Sequence, residues 1–224
     1  DVTTRSLVAY RFYEEGLRAL FRGDNEAGAR LMQQALEEDS TFAMAQYWLA
    51  NTRGIFNDSG LIRGLEKAMQ LSARATDRER LIIKAAWAAA VDHPSRMAIA
   101  ESLTVGYPNE PEPYIWLAAA RNSAGDFAGS VAPLRRVITM DSASLFTSRR
   151  PDGPAVRCHA CVAYLMLIGS YNLMDSLQAG LRGAQEWGRV VPDDPGPWGQ
   201  VSWSLMLMGR YKEALVADQA VIAR

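Results

Sequence analysis

One spacing recurs along this chain. Segments of similar pattern open at Ala9, Ala43, Asp77, Pro111, Cys161 and Pro195, which lie 34, 34, 34, 50 and 34 residues apart. A self-similar period of this length is the signature of a helix-turn-helix repeat array, in which each helix pair buries its apolar face only by stacking on the next. Function in such an array lives on the surface that stacking makes. The period therefore argues for a protein that binds proteins and against an enzyme with a buried catalytic cleft.

In register, the first segment predicts helix A from about Ser6 to Arg22 and helix B from Asn25 to Glu38, with Gly23 ending one and Asp24 capping the next. The second carries Tyr47, Trp48, Leu49 and Ala50 in helix A, then the breaker cluster Asn57-Asp58-Ser59-Gly60 before a helix B through Met69. In the third, Thr76 stands three residues before Glu79 as a capping box, and His93-Pro94 marks the turn. The fourth starts at Pro111-Glu112-Pro113, turns at Gly125-Asp126-Phe127 and runs to Met140. The next interval exceeds the period by 16 residues, so an insert is expected over about 145–160, and Ser148-Arg149-Arg150-Pro151-Asp152-Gly153-Pro154 reads as loop. Pro192 closes the fifth segment, and Gly209-Arg210-Tyr211 makes the turn of the sixth.

These residues resemble the tetratricopeptide repeat (TPR) family over nearly the whole chain. The family places a small residue at repeat position 8, here Gly16, Ala50, Ala118 and Ser202, and a bulky apolar one near position 4, here Phe12, Tyr114, Tyr164 and Trp198. Pro108 and Pro192 match its terminal proline. Lys84 and Ile168 depart at the small-residue position, Glu15 stands where an aliphatic is usual, and Asp175 replaces a turn glycine. The resemblance implies an all-α, right-handed superhelical solenoid of about six helix pairs, forming one domain over 1–224. A narrower resemblance is carried by Thr3-Thr4-Arg5-Ser6-Leu7-Val8-Ala9-Tyr10, Asp77-Arg78-Glu79-Arg80-Leu81 and Tyr107-Pro108-Asn109-Glu110-Pro111-Glu112. It is to the repeat regions attached to bacterial serine/threonine kinases, nucleotide cyclases and transcription regulators, and implies a sensory or docking part of a modular protein. No kinase phosphate loop, His-Arg-Asp or Asp-Phe-Gly is present.

Charge selects no polyanionic partner, because 24 Lys and Arg face 25 Asp and Glu, scattered through every segment. Neither nucleic acid nor membrane insertion is expected: the longest apolar stretch, Cys161 to Gly169, is about half of a bilayer span. Cys158-His159-Ala160-Cys161 is the one constellation with chemistry in it. Two thiols three apart can close a disulfide or simply pack at a helix start, and a redox or metal site at Cys158, His159 and Cys161 is the distant alternative. A structural zinc site needs four ligands, and the other histidine, His93, lies two repeats away, so no metal site is expected. With no Gly-x-Ser-x-Gly or His-Glu-x-x-His word, neither catalytic residues nor a cofactor is expected.

In the TPR family, helix A positions 2, 5, 9 and 12 line the concave wall. Carried onto this chain, they make Tyr10, Tyr13, Met44, Tyr47, Asn51, Ile115, Asn122, Asn172, Trp203 and Met206 the expected partner-binding residues, for a protein or peptide partner. Leu17, Leu20 and Leu165 fall on the same wall, where packing between helices is the alternative. Position 5 holds Tyr47, Ile115 or Leu165, which excludes the Lys-Asn-Arg clamp that grips a terminal carboxylate. The chain opens at Asp1 without an initiator Met and stops at Arg224 without a capping helix, so a processed or excised piece is expected. The alternative is a structural subunit in which Phe12 and Leu20 at one end meet Leu215, Val216, Val221 and Ile222 at the other, building a homo-oligomeric helical filament head to tail. The compartment stays open, with a bacterial extracytoplasmic or secreted one slightly favoured over the cytoplasm.

Overall fold

The computed structural model describes residues 3–54, 58–147 and 157–222, and every regular element among them is helical. Six helix pairs follow one another: α1 (Leu7–Phe21) with α2 (Asn25–Glu38), α3 (Ala43–Gly54) with α4 (Asp58–Leu71), and α5 (Asp77–Ala90) with α6 (Arg96–Gly106). After them come α7 (Pro111–Ser123) with α8 (Phe127–Met140), a single turn α9 (Ser144–Thr147), α10 (His159–Leu173) with α11 (Leu177–Val190), and α12 (Pro195–Leu207) with α13 (Tyr211–Ile222). This is an all-α helical-repeat architecture, and four helices begin on the residues that open the 34-residue frame. Asp1, Asn57, Ser148 to Pro154 and Arg224 lie outside the described residues.

Contacts divide the chain into two compact units. One comprises Asp1–Pro108 with Thr147–Arg157, the other Asn109–Phe146 with Cys158–Arg224. The first closes around Met32, Phe42, Leu65, Ile82, Ile83 and Leu103, the second around Leu134, Val137, Leu167, Leu181, Trp187 and Leu205, all buried. Each such side chain contributes roughly 1.5–3 kcal/mol by leaving water.

Local chemistry explains where helices start. The side chains of Asp24 and Asp126 accept the N–H groups of Ala27 and Gly129, each at 2.9 Å, and Asp194 accepts that of Gly196 at 2.7 Å. Such caps satisfy donors that the first turn leaves unpaired and contribute about 1 kcal/mol each. The capping box on α5 is complete, with Glu79 N–H donating to Thr76 Oγ1 at 3.2 Å and Thr76 N–H to Glu79 Oε2 at 2.9 Å. Glu79, buried, also receives the N–H of Thr3 at 3.1 Å and its hydroxyl at 2.6 Å.

The turns explain the departures from the repeat pattern. Gly23, Gly125 and Gly209 hold φ of 85°, 77° and 72° at one shared frame position, and Asp175 takes 55° there in the fifth pair. A short polar side chain tolerates this left-handed conformation, so the missing glycine changes the energy and not the turn. In the third pair the left-handed residue is Asp92, one place later, while Lys84 is exposed and Ala85 buried. A one-residue shift of frame accounts for both. Ile168, at a position kept small elsewhere, is buried because it faces Gly183: a Cβ there would stand 3.5 Å from Ile168 Cγ1.

Two features lie beyond the sequence reading. Pro133 sits inside α8 without a break. Its missing N–H strands the Gly129 carbonyl four residues back, and that carbonyl accepts instead from the Arg121 guanidinium. The insert is also shorter as a loop than expected: α9 occupies 144–147 with Leu145 buried, and α10 already begins at His159. Asp141, at the end of α8, caps α10 by accepting the N–H groups of His159 at 2.9 Å and Ala160 at 3.3 Å.

Candidate functional site

The helix A residues expected to meet a partner divide sharply by exposure. In the first unit Tyr13, Met44 and Tyr47 are buried: Tyr13 packs 4.8 Å from Phe42, and Tyr47 lies edge-on 5.3 Å from Trp48, which also meets Phe21 at 5.5 Å. The Arg157 guanidinium sits 5.4 Å over the Trp48 ring. Asn51 donates to the Tyr47 carbonyl at 2.8 Å, and Tyr10, exposed, donates its hydroxyl to Glu14 at 2.9 Å. Leu17, Leu20 and Phe12 are half-buried. A cavity of about 610 Å³ beside the N-terminal segment is lined by Thr3, Ser6, Asp39, Arg74 and Glu79 among others. Burial pushes the Asp39 carboxyl up, but hydrogen bonds from Thr4 and Thr41 outweigh it and hold the group below its ordinary range.

In the second unit Ile115 is buried, and Asn122 accepts the Ser170 hydroxyl at 3.2 Å. Asn172 folds over Gly180, where an added Cβ would stand 2.3 Å from its Oδ1. Leu165, Trp203 and Met206 are open, at 44%, 51% and 38% exposure. Helical periodicity puts Leu165, Gly169 and Asn172 on one face of α10, and Gly199, Trp203 and Met206 on the matching face of α12.

Gly169 and Gly199 lie on this same face. Each lies inside a helix, half-exposed, and a Cβ built on either meets nothing within 4 Å. Glycine inside a helix is about 1 kcal/mol worse than alanine, and among the described residues no packing requires it at these two places. Gly28 and Gly54 differ, since a Cβ on either would strike Leu20 or Leu61 below 3 Å. A glycine inside a helical pattern was the available signal.

Behind this face, Tyr164 stacks on Trp187 at 5.4 Å and donates to Glu186 at 3.0 Å, while Arg135 pairs with Glu186 at 2.8 Å. Burial, then the Glu186 charge and hydrogen bond, push the Tyr164 hydroxyl up to about 12. These groups join α8, α10 and α11. They make no nucleophile–base pair.

Cys158 and Cys161 are joined in a disulfide. Closing a ring of four residues removes chain entropy worth roughly 2 kcal/mol, against about 4.7 kcal/mol for a hundred-residue loop. Among the described residues, no three of His, Cys, Asp and Glu gather in a way that could hold a metal, and no helix is long and apolar enough to cross a membrane.

Six helix pairs, left-handed turn residues at one shared frame position in four of them, and an open helix A face define a helical-repeat scaffold. Solved structures give that scaffold its fold. A TPR protein from Thermus thermophilus superimposes with a TM-score of 0.64 at 18% identity, covering 93% of this chain and 99% of that one. PilW, a type IV pilus biogenesis factor, gives 0.60 at 12% identity over 98% and 94% of the two chains. A TPR protein from Parabacteroides merdae gives 0.53 at 9% identity, covering 97% and 80%. No family profile and no curated protein matches the sequence. The fold is that of the tetratricopeptide repeat.

Proposed function

We propose that this chain is a non-catalytic protein-binding scaffold, and that an uncharged, apolar segment of a partner protein docks on the helix A face of the second unit. The observation that carries this reading is the pair Gly169 and Gly199, mid-helix glycines facing open space between exposed Leu165, Trp203 and Met206. A bare backbone floor lets a partner's main chain approach closely, and the flanking side chains supply apolar area, with Trp203 the natural anchor. Leu165, Gly169, Asn172, Gly199, Trp203 and Met206 carry no charge, so the partner's contacting side chains are neutral as well.

A random-peptide display library selected on the full chain tests this. Enriched sequences should be apolar and uncharged, and should lose binding to Trp203→Ala while that variant keeps its helicity. A library that yields no enrichment, or binders indifferent to Trp203→Ala, refutes the assignment. Tyr47→Ala, at a buried position, should lower stability and leave the same binders unaffected.

A second reading, association of two copies end to end, is favoured by Leu215, Val216 and Ile222, all exposed on α13. Sedimentation velocity decides it: Val216→Glu should shift an oligomer towards monomer, and a wild-type chain that stays monomeric at high concentration ends the idea.

A further inference from the structure

We propose that the Cys158–Cys161 disulfide is a reversible thiol–disulfide exchange site, opened and closed by a protein dithiol, and not a fixed staple. Three observations carry this. First, the bridge joins nothing distant: its two residues are the N-cap and the third residue of α10, with Cα atoms 5.2 Å apart. Helix geometry holds them within reach in either redox state, so reclosure after reduction needs no search through conformations.

Second, both residues are half-buried, packed against the edge of the second unit's core rather than enclosed within it. Third, opening the bond leaves the local structure capped. Cys158 Sγ already accepts the Cys161 N–H at 3.1 Å, and the Ser144 hydroxyl, which donates to the Asp141 carbonyl at 2.8 Å, lies 3.4 Å from the same sulfur. The Asp141 carboxylate independently holds the His159 and Ala160 N–H groups. A helix N-terminus favours negative charge on its capping atom, so a Cys158 thiolate is a supported product. Among the described residues, Asp141 opposes a thiolate but is committed to those two N–H groups, the His159 imidazole lies 3.5 Å from Asp141, and the cationic Arg157 precedes Cys158 in the chain.

The step balances as ordinary exchange. A thiolate of the dithiol attacks Cys158 Sγ, the Sγ–Sγ bond breaks, and Cys161 leaves as a thiolate that takes a proton. The second thiol of the reductant, deprotonated, then attacks its own partner sulfur in the mixed disulfide and expels the Cys158 thiolate, which keeps the Cys161 N–H as its donor. Two electrons pass from dithiol to disulfide, which leaves the reductant oxidised and both cysteines reduced.

The full chain equilibrated in glutathione buffers of graded reduced-to-oxidised ratio, then alkylated and weighed, tests the proposal. The dithiol fraction should follow the ratio, with helicity unchanged. A chain that stays oxidised at every ratio yet is reduced by dithiothreitol overturns it. Cys161→Ser, which keeps Cys158, should capture one glutathione and react with iodoacetamide at neutral pH about tenfold faster than Cys158→Ser reacts through Cys161, and equal rates would also overturn it. Should Cys161→Ser fail to fold, limited alkylation of the reduced wild-type chain with peptide mapping makes the same comparison.

Discussion

Replacing Gly169 or Gly199 by alanine separates stability from binding. A methyl group at either position meets no atom within 4 Å, and neither residue has the positive φ that only glycine tolerates easily. Each substitution should therefore recover the helix-propensity difference of about 1 kcal/mol and raise the melting temperature by about 2–4 °C for a chain of this size. The new methyl group, however, stands where a partner's backbone would rest. A segment packed against bare glycine must retreat, and the loss of close contact should weaken capture of a display-selected peptide at least tenfold, or about 1.4 kcal/mol. Thermal melting by circular dichroism and titration of the chain with that peptide carrying a fluorescent label, read as anisotropy, give both numbers. A lower melting temperature would show that the face is not open. A raised one with unchanged affinity would place the partner elsewhere.

Three further outcomes follow from the packing. Asp175→Gly should stabilise the chain by about 0.5–1 kcal/mol, read as a raised urea midpoint, because the left-handed turn costs glycine nothing sterically; no gain would mean that the aspartate side chain serves another purpose. Arg121→Met should cost about 1–2 kcal/mol by leaving the Gly129 carbonyl unpaired behind Pro133, and restoring the backbone donor with Pro133→Ala in the same chain should recover most of the loss. The Tyr164 hydroxyl titrates higher in the folded chain than its unfolded value of 10.0, so its contribution is whole below that pH and is lost as pH rises through about 12. Denaturation midpoints across that window should fall more steeply for wild type than for Tyr164→Phe, and parallel curves would refute the linkage.

The fold was legible because its punctuation is chemical. Asp24, Asp126, Asp194 and the Thr76–Glu79 box stand where helices begin, and the left-handed glycines where the pairs turn. The fourth segment's second helix was expected to run past Pro133 to Met140, but what sustains it there, the Arg121 guanidinium on the Gly129 carbonyl, depends on a contact between two helices. Lys84 stood out in the sequence as a departure, and only burial together with the left-handed Asp92 ties it to a shift of frame. The site was less legible for a related reason. Repeat positions say which way a helix A residue points but not whether a neighbour covers it, so buried Tyr13 and Tyr47 and open Trp203 read alike. Gly169 and Gly199 carried the sharper signal, since what they reveal is the absence of a need for packing.

Most interactions in a repeat array connect neighbours, and such arrays can fray one pair at a time. The clasp from Thr3 to Glu79 spans 76 residues of sequence and ends on the carboxylate that also starts α5. Releasing the N-terminal segment would strip a buried carboxylate of two donors, and melting the start of α5 would strand Thr3. The first three helix pairs are thereby coupled into one cooperative opening event, and their slowest-exchanging amides should share a common free energy in native-state hydrogen exchange.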